Sequence, residues 1–460
     1  MPTVLDIITA MQEAAPKGRQ LLADGALAEL QRLTRELIAA KPDAIAERER
    51  FDSIRTRSVP VSDARLGAWL AGKTVLVTGG TGCIGSTLLG ELGRHGAARL
   101  VSVSRGLTGG WPLHPGVDYL RADITDADAL RARLREVRPD VVFHVAAQRD
   151  PGLAEREIQR TVRTNIFGTK NVAEAAADAG VAQVICATSG KALRPYSREV
   201  YTAAKRAAEW VLASASASHP GTAIAAVRFT HVVDNSIVDD RLHQWAASGV
   251  IRLHDPNTLF YAQSALESVQ LMLVAGLGAT AGALRIYTIN DLGMPISLLD
   301  LAVGTLQQAG SDSPIYLSGH DPGYEVVAFP GLYDPATAGD VSPLLSAFEA
   351  RAAQQDADLG IDFCTSQLDL TRVPADALAK LASACHGAPD AEPLRVALDE
   401  LSWCVYEAAL AALPASALRR AAALTEPYEK GLSYDHSRML AAIRRELGAG
   451  RDESLAVAVG

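Results

Sequence analysis

At about 150 residues per domain, a chain of 460 residues has room for two or three domains, or for one domain with large extensions. Apolar residues make up 48% and charged residues 21%, the balance of an ordinary soluble globular protein. The 44 basic and 53 acidic side chains leave a net charge of −9, so no nucleic-acid partner and no attraction to an anionic membrane is expected. No stretch approaches the roughly 18 uncharged apolar residues that a bilayer span requires. Asp6 also stands where a secretion signal would carry a basic start, so a cytoplasmic location is expected. The five cysteines are widely spaced with no CxxC, and Cys385-His386 lacks a second ligand pair, so neither a disulfide framework nor a metal site is expected. The eight lysines, at 17, 41, 73, 170, 191, 205, 380 and 430, are few beside the arginines.

Residues 1–70 read as a helical N-terminal extension. Leu27, Leu30, Leu33 and Leu37 lie at helical spacing, and a charged stretch over 41–66 with Pro42 and Pro60 ends in a linker. From 71 to 335 short apolar strands alternate with helices. Strands are expected at 74–80, 98–104, 117–120, 140–146, 182–188 and 222–229, and helices at 84–96, 126–136, 154–178 and 199–214. Strands apolar on both faces and separated by helices define an α/β fold with a doubly wound parallel sheet, covered on both sides. The pattern loosens over about 231–335, the expected substrate-binding part, where helices 264–277 and 296–308 and strands 284–289 and 314–317 can be drawn. Residues 336–460 read as a helical C-terminal segment, best defined at 397–413 and 435–447, with a loose tail over the last ten residues.

Two motifs carry chemistry. Gly79, Gly82 and Gly85 are spaced in a G-x-x-G-x-x-G turn between a strand and a helix. Such a turn brings a dinucleotide pyrophosphate close to the main chain and to the helix N-terminus. The pattern alone arises by chance about 0.24 times in a chain of this glycine content, so its strand-turn-helix context carries the inference. Tyr201 and Lys205 then stand at i and i+4 on one helix, projecting the same way. A phenol exchanges protons near neutral pH only if its pKa falls from about 10, and a neighbouring ammonium lowers it. A surface tyrosine and lysine remain the bland alternative.

Taken in this order, with a strand ending at Ala187-Thr188-Ser189 between them, the two motifs resemble the extended short-chain dehydrogenase/reductase family. Within it, the chain is most similar to the capsular-polysaccharide branch, the inverting UDP-N-acetylhexosamine 4,6-dehydratases. The resemblance covers about 72–330 and includes PDVVFHVAA (139–147), TVRTNIFGTKNVAEAA (161–176), SGKALRP before YTAAK, and HDP at 254–256. It implies that Gly79, Thr81, Gly82, Cys83, Ile84 and Gly85 wrap the cofactor pyrophosphate. It implies too that Asp123-Ile124 contact adenine, that Ala146-Ala147 lie beside the nicotinamide ribose, and that Asn165 organises the site. Ser104-Arg105 closes the second strand where an NAD enzyme would place an acidic residue, so NADP is expected ahead of NAD. A solvated loop arginine is the alternative for Arg105. Thr188 and Ser189 would orient a substrate hydroxyl, Tyr201 would act as base or acid, and Lys205 would bind the nicotinamide ribose and tune Tyr201.

The departures concern the substrate. The relatives' Thr-Asp-Lys reads Ser189-Gly190-Lys191, which removes the acid expected to protonate a departing hydroxyl and keeps only Lys191. The arginine after the Asp-Pro motif is replaced around Leu259-Phe260, and R-P-G-E-K reads Asp321-Pro322-Gly323-Tyr324-Glu325. The expected function is therefore an NADP(H)-dependent oxidoreductase, or an epimerase working through transient oxidation, at a secondary alcohol or ketone of a sugar-like or secondary-metabolite substrate. UDP-N-acetylhexosamine dehydration or epimerisation in polysaccharide biosynthesis is the first alternative, and a cofactor-binding protein without turnover the second. The expected partners are a small-molecule substrate and a second copy of the chain, a homo-oligomer.

Overall fold

The computed structural model describes residues 2–19, 21–107, 110–324, 340–386 and 391–448. Two compact units divide them: Met1–Ser58, Thr230–Ser268 and Leu292–Asp321 form one, and Val59–Phe229, Val269–Asp291 and Pro322–Gly460 the other. Both are discontinuous in sequence, unlike the consecutive blocks 1–70, 71–335 and 336–460 expected along the chain. The reason is amphipathic packing of the N-terminal helices.

In the first unit, helices α1 (Val4–Ala14), α2 (Asp24–Ala40) and α3 (Ala44–Ser53) cannot bury their apolar faces on one another alone. Ile7, Met11, Leu30, Leu33, Leu37 and Phe51 pack into one core with the helix Leu298–Ala309 and the parallel strands Ile251–Leu253 and Ile315–Leu317. α3 lies so close to that helix that a Cβ on Gly304 would come within 2.4 Å of the Ala44 carbonyl oxygen. Arg48, buried on α3, pairs with the carboxylate of Asp239.

The second unit holds the main sheet. Strands β1 (Thr74–Thr78), β2 (Arg99–Ser104), β3 (Val117–Arg121), β4 (Val141–His144), β5 (Gln183–Ser189) and β6 (Ala223–Phe229) are joined by Arg285–Ile289, in the order β3-β2-β1-β4-β5-β6-285–289. Every one of these pairings is parallel. This is the nucleotide-binding doubly wound order, with its switch point between β1 and β4. Helices α4 (Asp63–Leu70), α5 (Cys83–Arg94) and α6 (Ala127–Val137) belong to this unit as well. The expected helix 154–178 is broken into α7 (Pro151–Arg156), α8 (Ile158–Val162), a π-helical turn over Arg163–Phe167, and α9 (Gly168–Asp178). α10 (Val200–Ser218) follows β5 and is buried along most of its length.

The C-terminal segment forms the helices Ala377–His386, Ala391–Ala411, Ala415–Thr425 and Tyr434–Gly448, as expected, but it first extends the sheet. Ile361–Thr365 pairs antiparallel with Arg285–Ile289, and Ala353–Asp356 pairs antiparallel with Ile361–Thr365. The outermost strand, AQQD, has no fully buried residue, so it lacks the apolar signature of a core strand. The 451–460 tail, Glu325 and the 335/336 boundary lie outside the described residues.

Candidate active site

β1 runs into the turn at Gly79, whose φ of +75° is left-handed and favours glycine. A Cβ there would lie 2.8 Å from the Ala146 backbone. One at Gly85 would lie 2.2 Å from the Gly79 carbonyl oxygen, so α5 can start against the turn only with glycine at that position. Gly82 caps α5, and Cys83 and Ile84 open it, with Cys83 buried. Thr81 reaches the Gly106 carbonyl at 3.3 Å. These residues leave the free N–H groups of α5 at the C-terminal edge of the sheet, as a pyrophosphate requires.

At the end of β2, Ser104 Oγ is buried with no hydrogen-bond partner among the described residues, and Arg105 is exposed beside it. A buried hydroxyl left open there, beside a turn kept clear by glycine, fits a dinucleotide ribose. Asp123 Oδ1 accepts from Thr125 N at 2.9 Å. Ile124 is buried against Gly168, where a Cβ would come within 2.6 Å of its Cδ1. After β4, Ala146 and Ala147 lead to Gln148, and Asn165 clamps that loop from the π-helical turn. Its Oδ1 accepts from Gln148 N at 2.8 Å and its Nδ2 donates to Gln148 O at 2.9 Å.

The reactive side chains come from β5 and α10. Tyr201 and Lys205 are buried, at 8% and 6% exposure, so the surface-pair alternative does not hold. Burial pushes the Tyr201 phenol up, while its hydrogen bond to Ser189 and the nearby Arg149 cation pull it down. Burial pushes Lys205 down to about 8, against the opposing pull of Glu209 and Cys186. Ser189 Oγ also accepts from Lys191 N at 3.2 Å. The Thr188 hydroxyl lies within 3.0 Å of Glu209 Oε1 and 3.2 Å of the Val227 carbonyl oxygen, so its proton is directed toward α10 and β6. Lys191 Nζ donates to Gly323 O at 3.1 Å and Glu199 Oε2 at 3.4 Å, and lies 5.3 Å from the centre of the Tyr324 ring. Burial pushes Lys191 down, with Glu199 as its main opposing charge.

Gly190 stands where the resemblance expects an acid. A Cβ there would lie 2.8 Å from Leu344 Cδ2, so the C-terminal segment fills the space of that side chain.

Sequence reasoning missed His144, Glu209 and Arg149. His144 is held by Thr78 Oγ1 at 2.8 Å and Thr169 Oγ1 at 3.0 Å, and burial drops it to about 3, so it stays neutral. Glu209 was accessible, since Tyr201, Lys205 and Glu209 follow i, i+4, i+8 along one helix face. Nothing local marks His144. Among the described residues no group of three or more His, Cys, Asp or Glu is placed to hold a metal, and no single helix is long and apolar enough to cross a membrane.

The parallel sheet, the glycine turn and the Tyr201–Lys205 pair define an enzyme of the extended short-chain dehydrogenase/reductase class. Residues 75–326 match the polysaccharide biosynthesis protein family, and the chain belongs to it as a divergent member. It is 29% identical to the capsular polysaccharide biosynthesis protein CapD of Staphylococcus aureus, over 55% of this chain and 44% of that protein. It is 30% identical to an inverting UDP-N-acetylglucosamine 4,6-dehydratase of Campylobacter jejuni, over 35% of this chain and 49% of that enzyme. The chain thus spans about half the length of these relatives. The X-ray structure of Pen from Bacillus thuringiensis, 24% identical with a TM-score of 0.55, covers 65% of this chain and 89% of its own and shares the fold.

Proposed function

We propose that this protein is a nicotinamide-dependent enzyme of the epimerase/dehydratase type, acting on a sugar nucleotide in polysaccharide biosynthesis by transient oxidation of a secondary hydroxyl. The observation that carries the reading is the buried Tyr201 phenol, one helical turn from buried Lys205 on the same face of α10. The family match and the named relatives favour this sugar-nucleotide alternative over the wider secondary-alcohol expectation.

Gly79, Thr81, Gly82, Cys83, Ile84 and Gly85 would hold the dinucleotide pyrophosphate, with Ser104, Arg105, Asp123, Ile124, Ala146 and Ala147 along the rest of the cofactor. When bound, that cofactor supplies the acceptor and donor of hydride. Ser189 holds the substrate hydroxyl while Tyr201 takes its proton. The Lys205 ammonium stabilises the Tyr201 phenolate that accepts this proton, and the phenol so formed returns the proton when the carbonyl is reduced. Asn165 fixes the 146–148 loop beside this centre. Arg105 supports NADP ahead of NAD, through charge-assisted pairing with a 2′-phosphate.

Gly190 decides between the two outcomes of oxidation. With Leu344 in the place of an acid side chain, reduction of the ketone on its other face is favoured over loss of a hydroxyl. Dehydration, favoured by the Campylobacter relative, would draw its proton from Lys191, which is paired with Glu199. Incubation with UDP-N-acetylglucosamine and either cofactor, followed by NMR of the sugar, separates these. The C4 epimer is the expected product, and a 4-keto-6-deoxy sugar establishes dehydration. Turnover by Tyr201→Phe at the wild-type rate would overturn the reading.

A further inference from the structure

We infer that Glu349, delivered by the C-terminal segment, is a positioning residue that holds the charge state of Lys205 through Arg228 and Glu209. The inference rests on the proposed role of Tyr201 and Lys205 in proton transfer.

Glu209 lies one helical turn beyond Lys205 and is 1% exposed. Its Oε1 accepts from Thr188 Oγ1 at 3.0 Å and Arg228 Nε at 2.9 Å. Its Oε2 accepts from Arg228 Nη2 at 2.7 Å and Arg206 Nη1 at 3.3 Å. Arg228, on β6, is fully buried, and its other edge turns to the C-terminal segment. Nη1 donates to Leu344 O at 2.9 Å and Glu349 Oε2 at 2.8 Å, and Nη2 donates to Glu349 Oε1 at 2.7 Å. Glu349 is in turn fixed at the start of the short helix Ala347–Ala350, where Ser346 N and Oγ each donate to its Oε2 at 3.0 Å. Arg206 lies 3.5 Å from Glu349 Oε1.

The four charges therefore balance, two carboxylates against two guanidiniums, with Glu349 half-buried and the other three buried. Lys205 faces Glu209 on its own helix, the Cys186 thiol on β5 and His144 on β4. Burial pushes Cys186 up to about 12 and His144 down to about 3, so both are neutral and, among the described residues, Glu209 alone opposes the ammonium with a charge. Around Glu349 stand Arg228, Arg206 and the Cys364 thiol, which burial keeps protonated. Tyr201 faces Ser189 and Arg149. Without Glu349, two guanidiniums would share one carboxylate. The field of Glu209 at Lys205 would then be cancelled, and the ammonium would lose its proton at lower pH. Burial of an unbalanced cation is costly, which explains why a residue some 140 positions away is tied to this helix.

With only eight lysines, protein carrying ¹³C at the lysine ε-carbon gives few NMR signals, and Lys205→Arg assigns the one of interest. In Glu349→Gln the Lys205 midpoint should fall by about one pH unit, and in Glu349→Asp it should return toward wild type. Should Glu349→Gln not fold, Ser346→Ala loosens the carboxylate without removing its charge and should move the midpoint the same way by a smaller amount. An unchanged Lys205 midpoint in a folded Glu349→Gln protein, or in Ser346→Ala, overturns the inference. The titration needs no substrate, so it stands apart from the Tyr201→Phe turnover test of the proposed function.

Discussion

The turn after β1 and the turn after β5 both end at the C-terminal edge of the sheet, yet they are shaped by different distances along the chain. After β1, Gly79 and Gly85 are forced by neighbours in the same strand-turn-helix, with a Cβ at Gly85 reaching 2.2 Å from the Gly79 carbonyl oxygen. After β5, the neighbour that fills the space beside Gly190 is Leu344, more than 150 residues later. The first turn can be read from a window of eight residues. The second depends on how the C-terminal segment packs, so the same glycine carries no local message.

The comparison is most sharply tested at the second turn. Tyr201→Phe removes the proton-transfer group and should cost 10²–10⁴ in turnover, with cofactor dissociation constants unchanged by titration. Equal loss of cofactor binding would mean the phenol serves the first turn instead.

Acid stability comes next. His144 is neutral when folded, at about 3, whereas an unfolded histidine protonates near 6.5. The stabilisation is complete above 6.5 and is lost as pH falls toward 3, by about 3–5 kcal/mol in total. Denaturant unfolding across that range should show a slope that His144→Asn reduces, the remainder coming from carboxylates such as Glu349 that their partners hold below the usual range.

A smaller effect separates the turns directly. Gly85→Ala should destabilise the protein by about 1–3 kcal/mol and weaken cofactor binding, because the backbone of Gly79 cannot yield. Gly190→Ala should cost less, since a leucine methyl can swing aside. Thermal unfolding of the two variants ranks them, and the reverse order would undo the comparison. Narrowest in scope is Arg105→Ala, expected to weaken NADP by about 1.5–3 kcal/mol and leave NAD unaffected. Equal dissociation constants for both cofactors in the wild type would make Arg105 a solvated loop residue.

Much of the second unit was legible because its strands are short apolar runs bounded by glycine, and parallel pairing demands such runs. Tyr201 and Lys205 were legible through helical spacing. The strands at 353–365 were not, since AQQD pairs at the sheet edge with a polar surface. Nor was the break of the 154–178 helix, because a π-helical turn leaves no compositional trace. The balance of Glu209, Arg228 and Glu349 joins three distant stretches through burial alone.

The discontinuous path of the first unit has a consequence for synthesis. Helices α1, α2 and α3 leave the ribosome with Ile7, Leu30, Leu37 and Phe51 uncovered, while the helix Leu298–Ala309 that buries them is still unmade. At about 5–20 residues per second, some 250 further residues take roughly 12–50 s to add. For that interval the nascent chain presents an apolar helical surface with no partner of its own, and the second unit's β1–β6 are completed first. A stalled or truncated chain ending near residue 230 would therefore carry strands β1–β6 without the C-terminal residues that complete their core, and N-terminal helices without theirs, a ready client for chaperones.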